Sequence, residues 1–164
     1  VDRERNNRDS GTVGQGRWIA RIAVGVLLAV SIVLFLASLT QDGFYIDRED
    51  PRAWASCIGL LLVGWLGVIM GVPAWLANPF LVGAWVLACF RRMRWIGLCC
   101  ALISLAFMLS FLLHGEIMTD EAGGYSKITG YGAGYWLWVA SAAAALVGSL
   151  IAILFHPGGR NSGS

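Results

Sequence analysis

The sequence predicts an all-α integral membrane protein, a compact bundle of five apolar helical segments, and three observations carry that prediction. Hydrophobic residues fill 57% of the 164 positions and charged residues only 13%, a balance foreign to a soluble domain of this length. The charges gather in patches, leaving uncharged runs at about residues 22–39, 53–72, 74–90, 95–113 and 135–155. Each run approaches the roughly 17 to 25 helical residues that cross a hydrocarbon core. They are apolar all round, whereas barrel strands alternate over about ten residues. Helices also satisfy their own backbone groups, which lipid cannot do.

Taken in order, residues 1–18 form a mixed-charge, glycine-containing stretch, VDRERNNRDSGTVGQGRW, which reads as a flexible tail. A single polytopic domain follows over 19–156, and 157–164 reads as a second flexible tail. The first segment, 19–39, begins beside Arg17 and Arg21 and exceeds the apolar length of a signal peptide, so it reads as a retained anchor. The second, 54–71, is long enough to cross. Then comes GVPAWLANPF at 71–80, an uncharged hinge built on Pro73, Asn78 and Pro79. Asn78 suits an N-cap and Pro79 the first helical position. That leaves a third segment, about 79–90, reaching only about 18 Å, so it is expected to be short, half-depth or interfacial. The fourth and fifth segments, 95–113 and 135–155, are again long enough to cross.

Four segments are therefore predicted to cross fully, with five crossings as the alternative. Lys and Arg in short loops collect on the cytoplasmic side. Four crossings place Arg3, Arg5, Arg8, Arg17, Arg21, Arg91, Arg92, Arg94 and Arg160 inside, and Arg48, Arg52 and Lys127 outside. Five crossings erase that bias, giving six on each side. The favoured reading is a plasma (inner) membrane protein with both termini cytoplasmic. Arg91, Arg92 and Arg94 then lie where anionic headgroups attract basic side chains, Trp18 and Trp95 mark the inner interface, and every tyrosine lies outside. Trp54, Trp136 and Trp138 mark the outer interface.

No Asp, Glu, Lys or Arg falls within the apolar interior of a predicted span, and proton relays and ion sites are built from such residues. Cys57, Cys89, Cys99 and Cys100 lie in apolar runs and read as small buried hydrophobes. Ser31, Ser104, Ser110, Ser141 and Ser149 are candidates for bonds between helices. No catalytic, cofactor or metal constellation is evident. The outer acids Asp42, Asp47, Asp50, Glu116, Asp120 and Glu121 match no loop that wraps calcium. Gly67 and Gly71 form a GxxxG pattern, and Ala140 to Ala145 with Gly148 a second smooth face. Residues 115–138 place Tyr125, Tyr131 and Tyr135 among glycines, aromatic surface suited to recognition.

These residues point to a non-catalytic accessory or interaction protein, partner-binding or immunity-like, with Tyr125, Tyr131, Tyr135, Gly67 and Gly71 as the candidate contacts. The alternative is a homo-oligomeric channel or neutral-solute transporter with its constriction at Pro73 to Pro79. An interfacial lipid-acting enzyme using His114 and Glu116 ranks third. Expected partners are membrane lipids and another membrane protein or a second copy. Nucleic acid is not expected, because no phosphate-cradling pattern occurs.

Overall fold

A computed structural model describes residues 2–52, 55–118 and 124–155, with the backbone alone for 2–17 and Arg91. Among the described residues, three helices are long and apolar enough to cross a membrane: Trp18–Leu39, Arg94–Leu113 and Ala133–Leu154. The first is the apolar part of α1, which runs Asp2–Leu39. Residues 2–18, expected to be a tail without a fold, are drawn into the same helix. Extending an existing helix costs far less than nucleating one. The second is α5, Arg94–Ser110, closed by a 3₁₀ turn over Phe111–Leu113. The third is α6, Ala133–Leu154. The expected C-terminal tail, 157–164, lies outside the described residues.

Helix α6 runs antiparallel to both α1 and α5. Against α1, Ser38 lies beside Gly134, the Ser31 hydroxyl donates to the Ser141 carbonyl at 2.7 Å, and Leu27 lies beside Gly148. Ala142, Ala145, Gly148 and Ala152 are buried, so this row of small residues packs within the chain, while Ala140, Ala143 and Ala144 are half-buried. Against α5, the Tyr135 hydroxyl donates to the Met108 carbonyl at 3.0 Å, and Arg94 donates to the Ala152 carbonyl at 3.1 Å. The end of α1, the end of α5 and the start of α6 therefore meet at one end of the bundle, and Arg94 lies at the other.

Between them, the two apolar arms exchange the lengths expected of them. The segment 54–71 is not one helix. It is α2, Cys57–Val63, and α3, Trp65–Ile69, and neither contains a buried residue. The chain then closes at Gly71, whose φ is 85°. Val72 N–H donates to Gly67 O at 2.8 Å and Gly71 N–H to Val68 O at 3.3 Å, the paired bonds with which a left-handed glycine ends a helix.

Pro73 starts the next helix. A 3₁₀ turn, Pro73–Leu76, runs directly into α4, Ala77–Ala88. This arm descends along α5: Ser104 Oγ donates to Ala77 O at 2.9 Å, Gly83 lies beside Cys100, and Gly97 lies beside Leu87 and Ala88. Four 3₁₀ residues and twelve α residues span about 26 Å, against the 18 Å expected from a start at Pro79. Asn78 is not a cap. Pro79 falls in the first α turn, where its missing N–H is tolerated.

The chain is also not all-α. Three strands, β1 (Phe44–Ile46), β2 (Glu116–Met118) and β3 (Tyr125–Tyr131), form an antiparallel sheet in the order β1-β3-β2. Glycines flank β3, yet YSKITGY alternates in burial and is rich in residues that fit a pleated surface. The pairs are Phe44 with Tyr131, Tyr45 with Gly130 and Ile46 with Ile128 on one side, and Glu116 with Lys127 through Met118 with Tyr125 on the other. The register shift next to Ile46 leaves Thr129 unpaired as a bulge.

Candidate functional site

The sheet closes the end of the bundle where α1, α5 and α6 meet, and glycine makes that closure possible. Gly132 N–H donates to Gly43 O at 2.8 Å and Gly134 N–H to Asp42 O at 2.9 Å. A Cβ on Gly132 would collide with the Asp42 carbonyl, and one on Gly134 would lie 2.6 Å from Cys57 Sγ and 2.8 Å from Asp42 O. The start of α6 is thus pressed backbone to backbone against the turn between α1 and β1.

Beneath the sheet, Phe44, Ile46, Ala74, Phe111 and Tyr135 form one buried cluster, with Ile117, Ile128 and Tyr131 packed on it. Ring centroids are 5.5 Å apart for Phe44 and Phe111, 5.9 Å for Phe111 and Tyr131, and 4.9 Å for Tyr131 and Tyr135, within the range where aromatic pairs attract. Burial pushes the Tyr131 phenol above its ordinary pKa. On the opposite face, Tyr125, Lys127 and Thr129 are exposed. Tyr45 covers Gly130 across the strand pair, its ring carbon 3.9 Å from where a Cβ would stand.

The three candidate tyrosines therefore separate. Tyr125 is 64% exposed and free to meet a partner, Tyr131 is half-buried, and Tyr135 is buried with its hydroxyl bound to Met108. Only Tyr125 can meet a partner without dismantling the cluster. Asp120 and Glu121, along with the rest of 119–123, lie outside the described residues. His114 is turned back on its own helix end, its Nδ1 3.0 Å from Ser110 O.

Within this chain Gly67 and Gly71 close a turn. Gly67 supplies the carbonyl that closes the turn and Gly71 the left-handed residue, at the end of a helix only five residues long. At the hinge, Trp75 Nε1 donates to Leu61 O at 2.9 Å, and Trp138 Nε1 donates to Asn78 Oδ1 at 3.0 Å. Both indole donors and the Asn78 amide oxygen are thus spent within the chain. Of the five serines, Ser31 and Ser104 bond between helices, and Ser31 also accepts from Trp85 Nε1 at 2.8 Å. Ser110, Ser141 and Ser149 bond back to their own helix.

At the other end, Arg92 is exposed, as are Trp18 and Trp95 at 64% and 66%. Arg94 is half-buried, tied to the Ala152 carbonyl in the last turn of α6, where a cation meets the negative end of a helix. The Arg91 side chain lies outside the described ones. Every described acidic side chain, Asp42, Asp47, Glu49, Asp50 and Glu116, belongs to the sheet end.

Besides the sheet, two features escaped sequence reasoning. The Trp138 to Asn78 bond had a signal, an amide in an otherwise apolar arm, but Asn-Pro also reads as a helix start. The close approach at Gly132 and Gly134 had none, since glycine in a loop and glycine under a neighbouring backbone look alike in sequence. Comparison with protein-family models, curated protein sequences and solved structures finds no match to this chain.

Proposed function

We propose that the chain is a non-catalytic integral membrane protein that crosses four times, with the sheet outside, and binds a partner protein through the outer face of that sheet. The arms that cross are α1, Pro73–Ala88, α5 and α6, and α2 with α3 dips only part-way from the outer side. Pairing of β1 with β3 supports four crossings over five. Five would put residues 44–46 and 125–131 on opposite sides of the bilayer, where no backbone bond between them could form. The arginines gathered at the far end support the orientation.

The observation that carries the binding role is the exposed face of Tyr125, Lys127 and Thr129, held on a strand over a filled aromatic cluster. A rigid aromatic anchor loses little entropy on binding, and a sheet fixes it better than a loop does. A partner-binding, accessory role needs nothing more of the chain.

A photoreactive residue at Tyr125, activated in intact cells, tests this. One discrete crosslinked protein is the expected product, lost when the same residue stands at Ile128, half-buried on the cluster side of the strand. Crosslinks to lipid alone sink the binding role. A cysteine at Met93, in a chain with Cys57, Cys89, Cys99 and Cys100 replaced, should react with an impermeant maleimide only after permeabilisation. Reaction in intact cells sinks the topology.

A further inference from the structure

The sheet has one closed edge and one open edge. Along β1 the chain covers its own edge: Gly43 N–H donates to Ala55 O at 2.7 Å, Ile46 N–H to Pro51 O at 3.3 Å, and Asp42 pairs with Ser56. Along β2 it does not. Ile128 N–H donates to Gly115 O at 2.9 Å, so Gly115 and, two residues on, Ile117 turn their backbone groups toward β3, because bonded pairs alternate along an antiparallel ladder. Glu116 and Met118 therefore turn theirs outward, and among the described residues no backbone group bonds to them there. An edge left open in this way is a template for another strand.

The strand that fits this edge is its own copy. A two-fold axis through Ile117 sets Glu116 opposite Met118 of a second copy, so that the outward N–H and C=O groups of both residues bond across the pair and no like charges face each other. Such an axis stands perpendicular to the sheet. Because the sheet caps the bundle over its aromatic cluster, the axis runs along the bundle, the direction that two copies inserted the same way in one bilayer can share. Beneath the edge, α5 offers a seam. Trp95, Cys99, Leu102, Ala106 and Leu109 are exposed and spaced by four and three in turn, the interval at which parallel helices interlock, with small residues alternating between large ones. Cys99 is therefore a surface residue, not the buried one that its apolar run suggested. The row ends at Leu113, 85% exposed, two residues before Gly115. Helix α1 also carries an exposed apolar row, from Ile22 to Leu36, but it leads to the closed edge at β1.

We infer that the chain forms a two-fold dimer in the membrane, β2 pairing antiparallel with β2 of the second copy and α5 packing along α5 below it. The inference rests on the topology proposed above, which puts both copies the same way up. It joins the two sheets edge to edge and leaves the outer face of Tyr125, Lys127 and Thr129 open on each copy, so dimer and partner use different surfaces.

The test keeps Cys99 as the sole cysteine, with alanine at Cys57, Cys89 and Cys100, reconstitutes the full chain into phosphatidylcholine vesicles at falling protein-to-lipid ratios, and oxidises it briefly with copper phenanthroline. A disulfide-linked dimer is expected. Ile22→Cys in a chain without Cys99 should stay monomeric, although it stands one turn past Trp18 as Cys99 stands one turn past Trp95. Glu116→Pro removes an outward N–H from each copy and no bond within the sheet, so the protein-to-lipid ratio for half-crosslinking should rise about thirtyfold. Glu116→Gln keeps the N–H and should leave it unchanged. Ala106→Trp, at an exposed site, wedges the seam and should abolish the crosslink, which keeps the test decisive if the proline variant fails to fold. Equal crosslinking through Cys99 and Ile22→Cys, or crosslinking through Cys99 that neither Glu116→Pro nor Ala106→Trp weakens, overturns the inference. Loss with Ala106→Trp alone, in a proline variant that unfolds at the parent midpoint, overturns the strand pairing. A Met93 label from outside sinks the topology whatever Cys99 does, and a monomer with Met93 inside sinks the dimer alone.

Discussion

The two ends of the bundle are held by different physics. At the sheet end, backbone meets backbone: Gly132 and Gly134 dock on Asp42 and Gly43, and an aromatic cluster fills the space below. At the arginine end, helices meet through alanines and glycines around a void of about 10 Å³, and are joined by one guanidinium bound to a helix terminus. The first arrangement has almost no freedom to absorb an added atom, and the second has room. Tightness at one end holds a strand face in place, and looser packing at the other leaves the helices able to adjust.

The sharpest way to break that contrast is one methyl group at the tight end. Gly132→Ala drives a Cβ into the Asp42 carbonyl, and the obstacle is backbone, so no rotamer change relieves it. The expected loss is about 3 kcal/mol, the upper range of overpacking, read by reversible unfolding in detergent. Gly115→Ala, at the same end but with nothing within 4 Å of the added atom, should stay within about 0.5 kcal/mol. Equal losses at the two positions would mean that the sheet end is no tighter than its surroundings.

Between the ends lies the bond from Trp138 to Asn78, which ties α6 to the crossing arm. Asn78→Leu leaves the indole N–H without its acceptor and should cost about 1 to 2 kcal/mol. Trp138→Phe in that background should add less than it does alone, because the stranded donor has gone. A coupling of zero in the double-mutant cycle would make the bond incidental and reopen the hinge as a place where a solute could bind.

Sequence made the long helices legible because hydrophobic length is a collective property of some twenty residues, and single exceptions hardly move it. The arms at 54–90 were not legible in the same way. Their boundaries turn on which proline begins a helix, and Pro73 and Pro79 both qualify locally. Pro73 starts the arm because Gly71 has just closed the previous helix, a decision made by one backbone angle. The sheet was hidden for a related reason. Each strand is too short to show a period, and β1 and β3 pair across about 85 residues of chain, a contact no local pattern reports. Of the candidate site, exposure of Tyr125 and of Arg92 followed from their polarity, but burial of Tyr135 depended on facing Met108 and Phe111, partners brought in by α5.

The smallest expected effect is also the most discriminating for the hinge. Gly67 and Gly71 share a GxxxG pattern, and a helix-pairing face would make them equivalent, each harmed by an added methyl. The fold makes them opposites. At Gly67 the new Cβ meets Val72 at 3.6 to 3.8 Å, ordinary contact, so alanine should gain about 0.5 to 1 kcal/mol from helix propensity. At Gly71 there is open space, but φ is 85°, a conformation costing an L-residue about 1 to 2 kcal/mol. Gly67→Ala should therefore raise the unfolding midpoint and Gly71→Ala lower it. A shift of the same sign in both would return the pair to a packing face and require a helix, from this chain or another, to lie against it.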